Sequence, residues 1–253
     1  MVEAKWEHKK PIIVHSSLSA FGIVKGSAKT VVGALIEVFP RILMPAFTYR
    51  TMITPAVGPK NNAINYGNDE YSNRSAKIYH PDMPVDKLIG IIPEEFRLLP
   101  DTIRSGHPIL SFCGLNVNDI IESQTIDHPF QPLRSLYNQH GYVMLMGVDH
   151  IANTSLHLAE LNTHRKTFTR WALTKNGIVE CPNFPSCSAG FKKAVDILDP
   201  ITIHSKIGKA NIRVVPIQPM VDILTDRLNN DPYFMLCEND KCDRYQAVFN
   251  SIT

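Results

Sequence analysis

The 253-residue sequence predicts an α/β fold, a layered α-β-α sandwich with a mixed β-sheet and a long inserted loop region. Two observations lead to this class. Near the amino terminus an apolar run, an amphipathic segment and a second apolar run follow one another, which favours parallel strands joined by a crossover helix. Further along, Asn176 and Gly177 separate two strand-like runs and predict an antiparallel hairpin, so we expect a mixed sheet. No linker or internal repeat divides the chain, which indicates one domain over residues 1–253.

The predicted crossover and the inserted loop occupy the first third of the chain. Residues 11–15 and 41–47 predict two buried strands, and Ser27 is expected to cap the helix between them. The apolar stripe of that helix consists of Val31, Val32, Leu35 and Phe39. Residues 50–84 are rich in Asn, Pro and Gly and show little periodicity, which indicates a long surface loop. Loops of this kind often carry function.

The middle of the chain continues the alternation of helices and strands. Residues 86–99 predict a helix. Its apolar side consists of Leu88, Ile92, Phe96 and Leu99. Residues 103–112 contain an Arg-Ser-Gly-His-Pro loop and a short strand. The predicted hairpin consists of two strands, at residues 168–174 and 178–181.

Three more elements are predicted near the carboxyl terminus. Residues 191–198 predict a helix capped by Ser188, and residues 212–217 predict a late strand. Residues 221–228 are expected to form the final helix, entered through Pro219, because proline is favoured in a first helical turn.

The overall composition excludes several classes of protein. The formal net charge of +2 is close to neutral and has no basic run, so it gives no indication of nucleic-acid binding. No apolar run is long enough for a membrane span or a signal peptide. We therefore expect a cytoplasmic protein whose partners are small molecules, with neither a nucleic acid nor a membrane among them. The oligomeric state is not determined by the sequence, and a homodimer stays open.

The five cysteines point to thiols or a metal site rather than to a disulfide scaffold. Cys181 and Cys187 form one near pair, and Cys237 and Cys242 form another; four thiolates of this kind can make a structural zinc site. Neither pair has the two-residue gap of common zinc motifs, so no metal is assigned from the sequence. Cys113 lies in an apolar context and is expected in the core.

The segment from Gly141 to His164 carries the first candidate for chemistry. Residues 142–148 predict a buried strand, and Asn153 or Thr154 can cap the helix that follows. His157 and Glu160 then lie three residues apart on one helical face. A helix amino terminus disfavours an imidazolium, and a neutral imidazole can act as a general base. On spacing alone, a core histidine with satisfied nitrogens is an equal alternative.

A metal-dependent hydrolase is a second interpretation of this segment. His157, Glu160 and His164 share the spacing of one helical face, with Asp149 and His150 close by in the preceding turn. Such a cluster could bind a metal ion and activate water. The complete His-Glu-x-x-His motif of metallopeptidases is absent from the sequence.

Four segments, in order, resemble one known family. GVDHIANTSLHLAE is similar to the GVGH-x-x-NTSLHLAE signature of the aminoglycoside 3-N-acetyltransferases, the antibiotic N-acetyltransferases that lack the usual acetyltransferase fold. IIVHSSLSAFGIVKGSAKTVVGALIEV, RILMPAFTY and IRSGHPILSF also resemble segments of that family, and the four together span residues 11 to about 165. The resemblance implies an acyltransferase that takes acetyl-CoA as cosubstrate and a small-molecule amine as acceptor.

The resemblance also implies which residues line the coenzyme. The positions matching the family's coenzyme-binding segments are His15, Ser16, Ser17, Leu18, Val24, Lys25, Gly26 and Ser27, with Arg104 and Ser105 as further site-lining residues. The first eight lie between a strand end and a helix start, where backbone N–H groups and the helix dipole favour a pyrophosphate. Without the resemblance, an ordinary capped turn would be the preferred interpretation of the serines.

The implied reaction is direct acetyl transfer with His157 as general base. Glu160 would orient His157 or hold a cationic acceptor, and Thr154, Ser155 or backbone N–H groups would stabilise the oxyanion. Asp149 and His150 are second candidates for binding a polycation.

The sequence departs from the family in two places. The usual GVGHD has become GVDHI, and the Gly-Glu that precedes a later helix is absent from residues 128–133. These changes leave the coenzyme inference intact and weaken the inference of an aminoglycoside acceptor. A CoA-binding protein without catalysis is a third alternative.

Overall fold

The protein is described from a computed structural model, which covers residue 7 and residues 9–67 and 70–252, without the side chains of residues 70–72. The strands are β1 (Ile12–Ser16), β2 (Ile42–Pro45), β3 (Met52–Ile53), β4 (Ile103–Arg104), β5 (Phe112–Leu115), β6 (Tyr142–Met146), β7 (Phe168–Thr174), β8 (Gly177–Phe184), β9 (Ile203–Ile207) and β10 (Ala210–Pro216). The α-helices are α1 (Ser27–Val38), α2 (Glu70–Ser75), α3 (Ile91–Arg97), α4 (Asn118–Ile121), α5 (Gln131–Asn138), α6 (His157–Asn162), α7 (Val195–Leu198), α8 (Ile217–Asn230) and α9 (Asp243–Ile252).

The central sheet has seven strands in the order β4-β5-β2-β1-β6-β10-β9. β1 pairs in parallel with β2 and β6, whereas β5 and β10 are antiparallel to their neighbours. The sheet is therefore mixed, as predicted, and the β1-α1-β2 crossover is confirmed. The Asn-Gly hairpin was expected to supply the antiparallel strands of this sheet, and that expectation was wrong. The hairpin, β7 and β8, forms a second sheet together with β3.

The layers follow from the alternation of side chains along the strands. In β1, Ile12 and Val14 point to a core shared with α1 and α3, whereas Ile13 points to a core shared with α5 and α8. Both faces of the sheet are thus covered by helices, which explains why its inner strands are buried and mostly apolar, with His15 and Ser16 as the polar end of β1. This arrangement confirms the predicted α-β-α sandwich.

The inserted loop is more structured than its composition suggests. Within residues 50–84 the chain forms β3 and α2, and β3 extends the second sheet along β7. Asn62 fastens the loop to the same strand: its Nδ2 donates to the carbonyl of Thr169 at 3.0 Å, and its Oδ1 accepts from the Thr169 N–H at 2.8 Å. The segment is an ordered cover over the hairpin.

Two helices begin at positions other than those predicted. The helix that was expected to start at residue 86 starts at Ile91, after Gly90 has turned the chain with a φ of 101°, and Leu88 is 84% exposed. At α1, the capping position is held by Gly26 in the left-handed region, and Ser27 is the first helical residue. The prediction that Ser27 caps the helix was therefore wrong, because a turn with positive φ replaces a side-chain cap.

The carboxyl-terminal elements also differ in detail. Ser188 does not cap its helix, because Cys187 holds the capping position of a 3-10 helix that spans Ser188–Ala194 and leads into α7. α8 begins at Ile217, with Pro219 in its first turn, and α9 follows it. The prediction that the last helix lies at 221–228 therefore missed α9. No helix within the described ranges is long and apolar enough to cross a membrane.

Candidate active site

The segment that follows β6, an inner strand of the central sheet, leads to His157. The chain leaves β6 through Gly147 at a φ of 70° and passes through two 3-10 helices before α6. The Asn153 Oδ1 accepts from the Ser155 N–H at 3.1 Å and caps the second of these helices. Of the two predicted capping residues, Asn153 therefore caps the 3-10 helix that leads into α6, whereas α6 itself has no side-chain cap. His157 is then the first residue of α6.

His157 and Glu160 form a buried hydrogen-bonded pair. The Nδ1 atom of His157 lies 2.6 Å from Oε2 of Glu160, and the two residues are 5% and 4% exposed. In the neutral imidazole this contact keeps the proton on Nδ1 and leaves Nε2 as the nitrogen available to a ligand. The predicted juxtaposition of the two side chains is confirmed.

Further donors occupy the remaining positions around the Glu160 carboxylate. The Nη1 atom of Arg165 donates to Oε1 at 2.8 Å, and the hydroxyl of Ser186 lies 2.8 Å from each oxygen. Burial alone raises the pKa of Glu160, but the hydrogen bond and charge of His157 and the charge of Arg165 outweigh burial and bring the pKa below its ordinary value. Of the two roles considered for Glu160, this geometry supports orienting His157, because no free oxygen faces an acceptor.

Two aromatic rings hold the imidazole of His157 in place. Phe130 stacks on it with ring centroids 5.6 Å apart and an interplanar angle of 20°, and Phe191 packs on it with centroids 4.7 Å apart. Sequence reasoning missed both rings, as it missed Arg165 and Ser186. Phe130 lies where the family's Gly-Glu is absent, and nothing in the local sequence signals a contact across the fold.

A cavity of about 470 Å³ opens beside His157. Its polar lining consists of His15, Ser16, Tyr49, Thr154, His157 and Ser188. His15 is buried, and this burial together with nearby His150 lowers its pKa to about 3, so the imidazole is neutral at physiological pH. Among the described residues, the Nε2 atom of His15 and the hydroxyl of Ser16 have no hydrogen-bond partner. Buried polar atoms without partners are costly, so these two atoms are suited to meet a ligand.

A second cavity, of about 730 Å³, adjoins the first through Ser16. Ser16, Ser17, Leu18, Val24 and Ser27 are among the residues that line it. The structure thus brings five of the ten predicted coenzyme residues together around one space, next to the cavity that His157 lines. Lys25 and Gly26 belong to the same turn but are exposed and do not line this cavity.

Arg104 and Ser105 lie outside both cavities. The guanidinium of Arg104 donates to the carbonyls of Ala46, Pro81 and Met83 at 2.6, 2.9 and 2.5 Å and so ties the inserted loop to the sheet. The hydroxyl of Ser105 bonds within its own turn and is buried. The geometry gives these two residues a structural role, and their contact with the coenzyme stays a prediction.

Asp149 and His150 are not directed at the cavity beside His157. The Oδ1 atom of Asp149 accepts from the Ile151 N–H at 2.9 Å as a helix cap, and its side chain borders a different, open cavity. His150 is 1% exposed, and burial followed by the charge of Arg213 lowers its pKa to about 4. Neither arrangement supports the interpretation that these residues hold a polycation in the cavity of His157.

The structure also contradicts the arrangement that a metal-dependent hydrolase would need. α6 ends at Asn162, so His164 falls after the helix and is exposed, and the predicted face of His157, Glu160 and His164 does not form. Within the described ranges, the one cluster of three or more His, Cys, Asp or Glu side chains fit to hold a metal ion consists of cysteines. That cluster is separate from the His157 cavity.

A third cavity, of about 710 Å³, meets the first at Tyr49 and Leu88. Its charged lining consists of Arg50, Arg170 and Arg244, with no carboxylate among the described lining residues. Burial, and then the charge of Arg244, lowers the pKa of Arg170 to about 10.

Of the acidic residues in the inserted loop, Asp82 is exposed and does not line this cavity. Asp69 and the side chain of Glu70 lie outside the described residues.

The sheet order, the His157–Glu160 pair and the adjoining cavities define an α/β protein with a preformed two-part cleft. The chain matches the model of the aminoglycoside 3-N-acetyltransferase family over residues 13–229, and it belongs to that family. It is 33% identical over 158 residues to the SPbeta prophage-derived aminoglycoside N(3')-acetyltransferase-like protein YokD of Bacillus subtilis (strain 168), in an alignment covering 59% of this chain and 57% of that protein. The chain thus spans a little over half the length of this relative.

Solved structures share the fold. The crystal structure of YokD superposes with a TM-score of 0.76 at 26% identity, covering 88% of each chain. A mutant of the acetyltransferase AAC(3)-IVa in complex with a gentamicin gives a TM-score of 0.76 at 23% identity, covering 96% of this chain and 92% of that chain. AAC-IIIb in a binary complex with CoASH gives 0.69 at 18% identity, covering 87% and 90%.

Proposed function

We propose that this protein is an acetyl-CoA-dependent N-acetyltransferase that acetylates an amine, the 3-amino group of an aminoglycoside, with His157 as general base. The observation that carries the proposal is the buried His157–Glu160 pair, whose imidazole lines a cavity that shares Ser16 with a second cavity along the loop of residues 16–18. Family membership supports the same reaction.

In the proposed reaction the acceptor amine attacks the thioester carbonyl of acetyl-CoA beside His157. The new C–N bond forms as the amine proton passes to Nε2 of His157; the C–S bond then breaks, and the coenzyme leaves as a thiolate that takes up the proton. Glu160 stabilises the imidazolium that forms in between. The Thr154 hydroxyl lines the cavity and is the side-chain candidate for the oxyanion donor, together with backbone N–H groups.

The coenzyme would lie in the second cavity, with its acetyl end towards His157. The amino terminus of α1 points a helix dipole at this space, which favours the negative pyrophosphate. The unpartnered His15 Nε2 and Ser16 hydroxyl are placed where the two cavities meet and can bond the thioester or the pantetheine arm. The complex of AAC-IIIb with CoASH supports a coenzyme in this fold.

A second candidate acceptor follows from the third cavity. The gentamicin complex of AAC(3)-IVa supports an aminoglycoside acceptor. An aminoglycoside is a polycation, however, and the described lining next to the His157 cavity offers Arg50, Arg170 and Arg244. Like charges repel in a partly buried space, so this lining favours an amine that also carries a carboxylate or phosphate group.

The experiment is thiol release from acetyl-CoA with two sets of amines, aminoglycosides and amines that carry an anionic group, beside CoA binding by calorimetry. Turnover with an aminoglycoside supports the first acceptor, and turnover confined to the anionic amines supports the second. His157→Ala should abolish turnover and leave CoA binding within about twofold, while His164→Ala, an exposed histidine just beyond the same helix, should change neither. Absence of CoA binding by the wild-type protein would overturn the proposal.

A further inference from the structure

Three cysteines from distant parts of the chain meet next to Ser186, whose hydroxyl bonds Glu160. Cys187 precedes the 3-10 helix Ser188–Ala194, and Cys237 and Cys242 lie in the segment between α8 and α9. Their sulfur atoms all lie within 4.8 Å of one another. Cys181, the fourth member of the zinc site considered from the sequence, is elsewhere, with its thiol 3.8 Å from the carbonyl of Val179. The four-cysteine site is therefore corrected to a cluster of three.

The spacing of the sulfur atoms matches what a soft divalent cation requires. Zinc binds thiolates at about 2.3 Å, so sulfur atoms in a tetrahedral site lie about 3.8 Å apart. Sulfur atoms already within 4.8 Å reach that spacing by shifts of about 1 Å or less. Cys237 is buried, whereas Cys187 and Cys242 are half-buried, so a water molecule can reach the fourth position. Thiolate ligands favour Zn²⁺ over the oxygen-seeking Mg²⁺ and Ca²⁺.

The cluster lies where the segment between α8 and α9 packs against the loop that contains Ser186 and Cys187. Gly190 packs so closely that an added Cβ would lie 2.2 Å from the carbonyl oxygen of Met235. The Nζ atom of Lys193 donates to the Leu236 carbonyl at 3.1 Å, and the Nη1 atom of Arg244 donates to the Ser186 carbonyl at 3.1 Å. These contacts hold the two segments together near the cysteines.

Residues adjacent to Cys187 in the sequence connect the cluster to the candidate active site. Ser186, whose hydroxyl holds both oxygens of Glu160, directly precedes Cys187, and Phe191 on the following 3-10 helix packs on His157. A cation at the cysteines would fix the loop that positions both residues.

We propose that Cys187, Cys237 and Cys242 bind one structural Zn²⁺, with water as the fourth ligand, and so fasten the carboxyl-terminal segment to the loop that carries Ser186. Binding deprotonates the three thiols and releases their protons to solvent. This inference does not depend on the acetyl-transfer reaction, because it concerns the assembly of the fold.

The test is the zinc content of the full chain, produced with zinc in the medium and dialysed before elemental analysis. We expect one zinc per chain for the wild type and for Cys181→Ala, which removes a buried thiol outside the cluster. Cys242→Ser should lose the zinc, and its far-ultraviolet circular dichroism and cooperative thermal unfolding report whether it is folded. Zinc retained by Cys242→Ser, or a wild-type chain without zinc, would overturn the proposal.

A measurement on the wild type alone covers the case in which Cys242→Ser fails to fold. Exchange of the metal for Co²⁺ should give the near-ultraviolet charge-transfer absorption of thiolate ligands, with an intensity that reports three sulfurs. Thiol titration under native conditions should rise by three reactive cysteines per chain when a chelator removes the metal. A disulfide among the three cysteines, detected as thiols absent even after chelation and unfolding, contradicts the proposal.

Discussion

The Nδ1 atom of His157 lies 2.6 Å from Oε2 of Glu160, three residues further along the same short helix. Because the carboxylate also accepts from Arg165 and Ser186, it is held in one orientation and holds the imidazole in turn. The pair is thus a fixed unit whose remaining nitrogen, Nε2, can serve a ligand.

Glu160→Gln tests the positioning role of the carboxylate. The amide cannot stabilise an imidazolium, and it leaves the buried Arg165 without its charge partner. We expect kcat to fall by about 10²- to 10⁴-fold with the KM for acetyl-CoA nearly unchanged. Steady-state kinetics across pH would measure this, with the exposed Glu180→Gln as the matched control. A large rise in the KM for the acceptor with kcat intact would instead indicate that Glu160 binds substrate.

Protein stability should fall as pH is lowered from about 6.5 towards 4. Burial and His150 lower the pKa of His15 from 6.5 to about 3, and burial and Arg213 lower that of His150 to about 4. Between these values and 6.5 the unfolded chain binds more protons than the folded one, so the stability present above pH 6.5 is lost as pH falls. The effect should reach a few kcal/mol, since each pKa unit corresponds to about 1.4 kcal/mol.

Urea unfolding at pH 7 and pH 5 would measure this dependence. His15→Gln should make it shallower, because His150 and His107, whose pKa burial also lowers to about 4, still contribute; the exposed His164→Gln should leave it unchanged. An equal slope in His15→Gln and in the wild type would show that His15 does not contribute to it.

Arg104→Ala separates two interpretations of Arg104. The family resemblance implies weaker coenzyme binding, whereas the bonds to the Ala46, Pro81 and Met83 carbonyls imply a loss of stability. From the structure we expect a loss of about 2–4 kcal/mol in the free energy of unfolding, because the substitution removes three charge-assisted hydrogen bonds, two of them to carbonyls of buried residues. Unfolding and CoA calorimetry on the same sample would decide it. Tenfold weaker CoA binding at unchanged stability would favour the coenzyme role.

Arg50→Ala should change the choice of acceptor. Arg50 is half-buried in the third cavity and adds positive charge near the His157 cavity. Its removal should lower the KM for a polycationic amine, or raise the KM for an amine carrying an anionic group, by about threefold to tenfold. The KM for each acceptor would be compared with that of Lys60→Ala, which removes an exposed lysine outside the cavity. Equal KM values in both variants would exclude a role for Arg50 in acceptor choice.

Gly190→Ala should destabilise the carboxyl-terminal segment. The added methyl group would meet the backbone of Met235 and Leu236 at 2.2 and 2.5 Å, and the backbone cannot move aside as a side chain can. We expect a loss of about 1–3 kcal/mol in the free energy of unfolding. Thermal unfolding beside Gly33→Ala, where nothing lies within 4 Å of the added atom, would measure it. Equal Tm values for the two variants would contradict the close contact.

Part of the candidate site could be predicted because it depends on neighbours in sequence. The cap at Asn153 and the His157–Glu160 pair follow from the three-residue spacing of a helix. The loop of residues 15–18 leaves a strand and leads to a helix, which local patterns also indicate. The same rules erred at His164, because they extended a helix that ends at Asn162.

The sequence by itself determined the layered fold, since apolar runs of strand length and an amphipathic helix leave few ways to bury both faces of a sheet. It also determined which histidine and glutamate form the pair. Only the tertiary structure decided what surrounds them. Ser186 reaches Glu160 from 26 positions away, and Phe130 and Cys187 meet their partners across the fold. Such contacts depend on how the helical layers pack against the sheet. The local periodicity of one segment does not predict which distant residues it will meet.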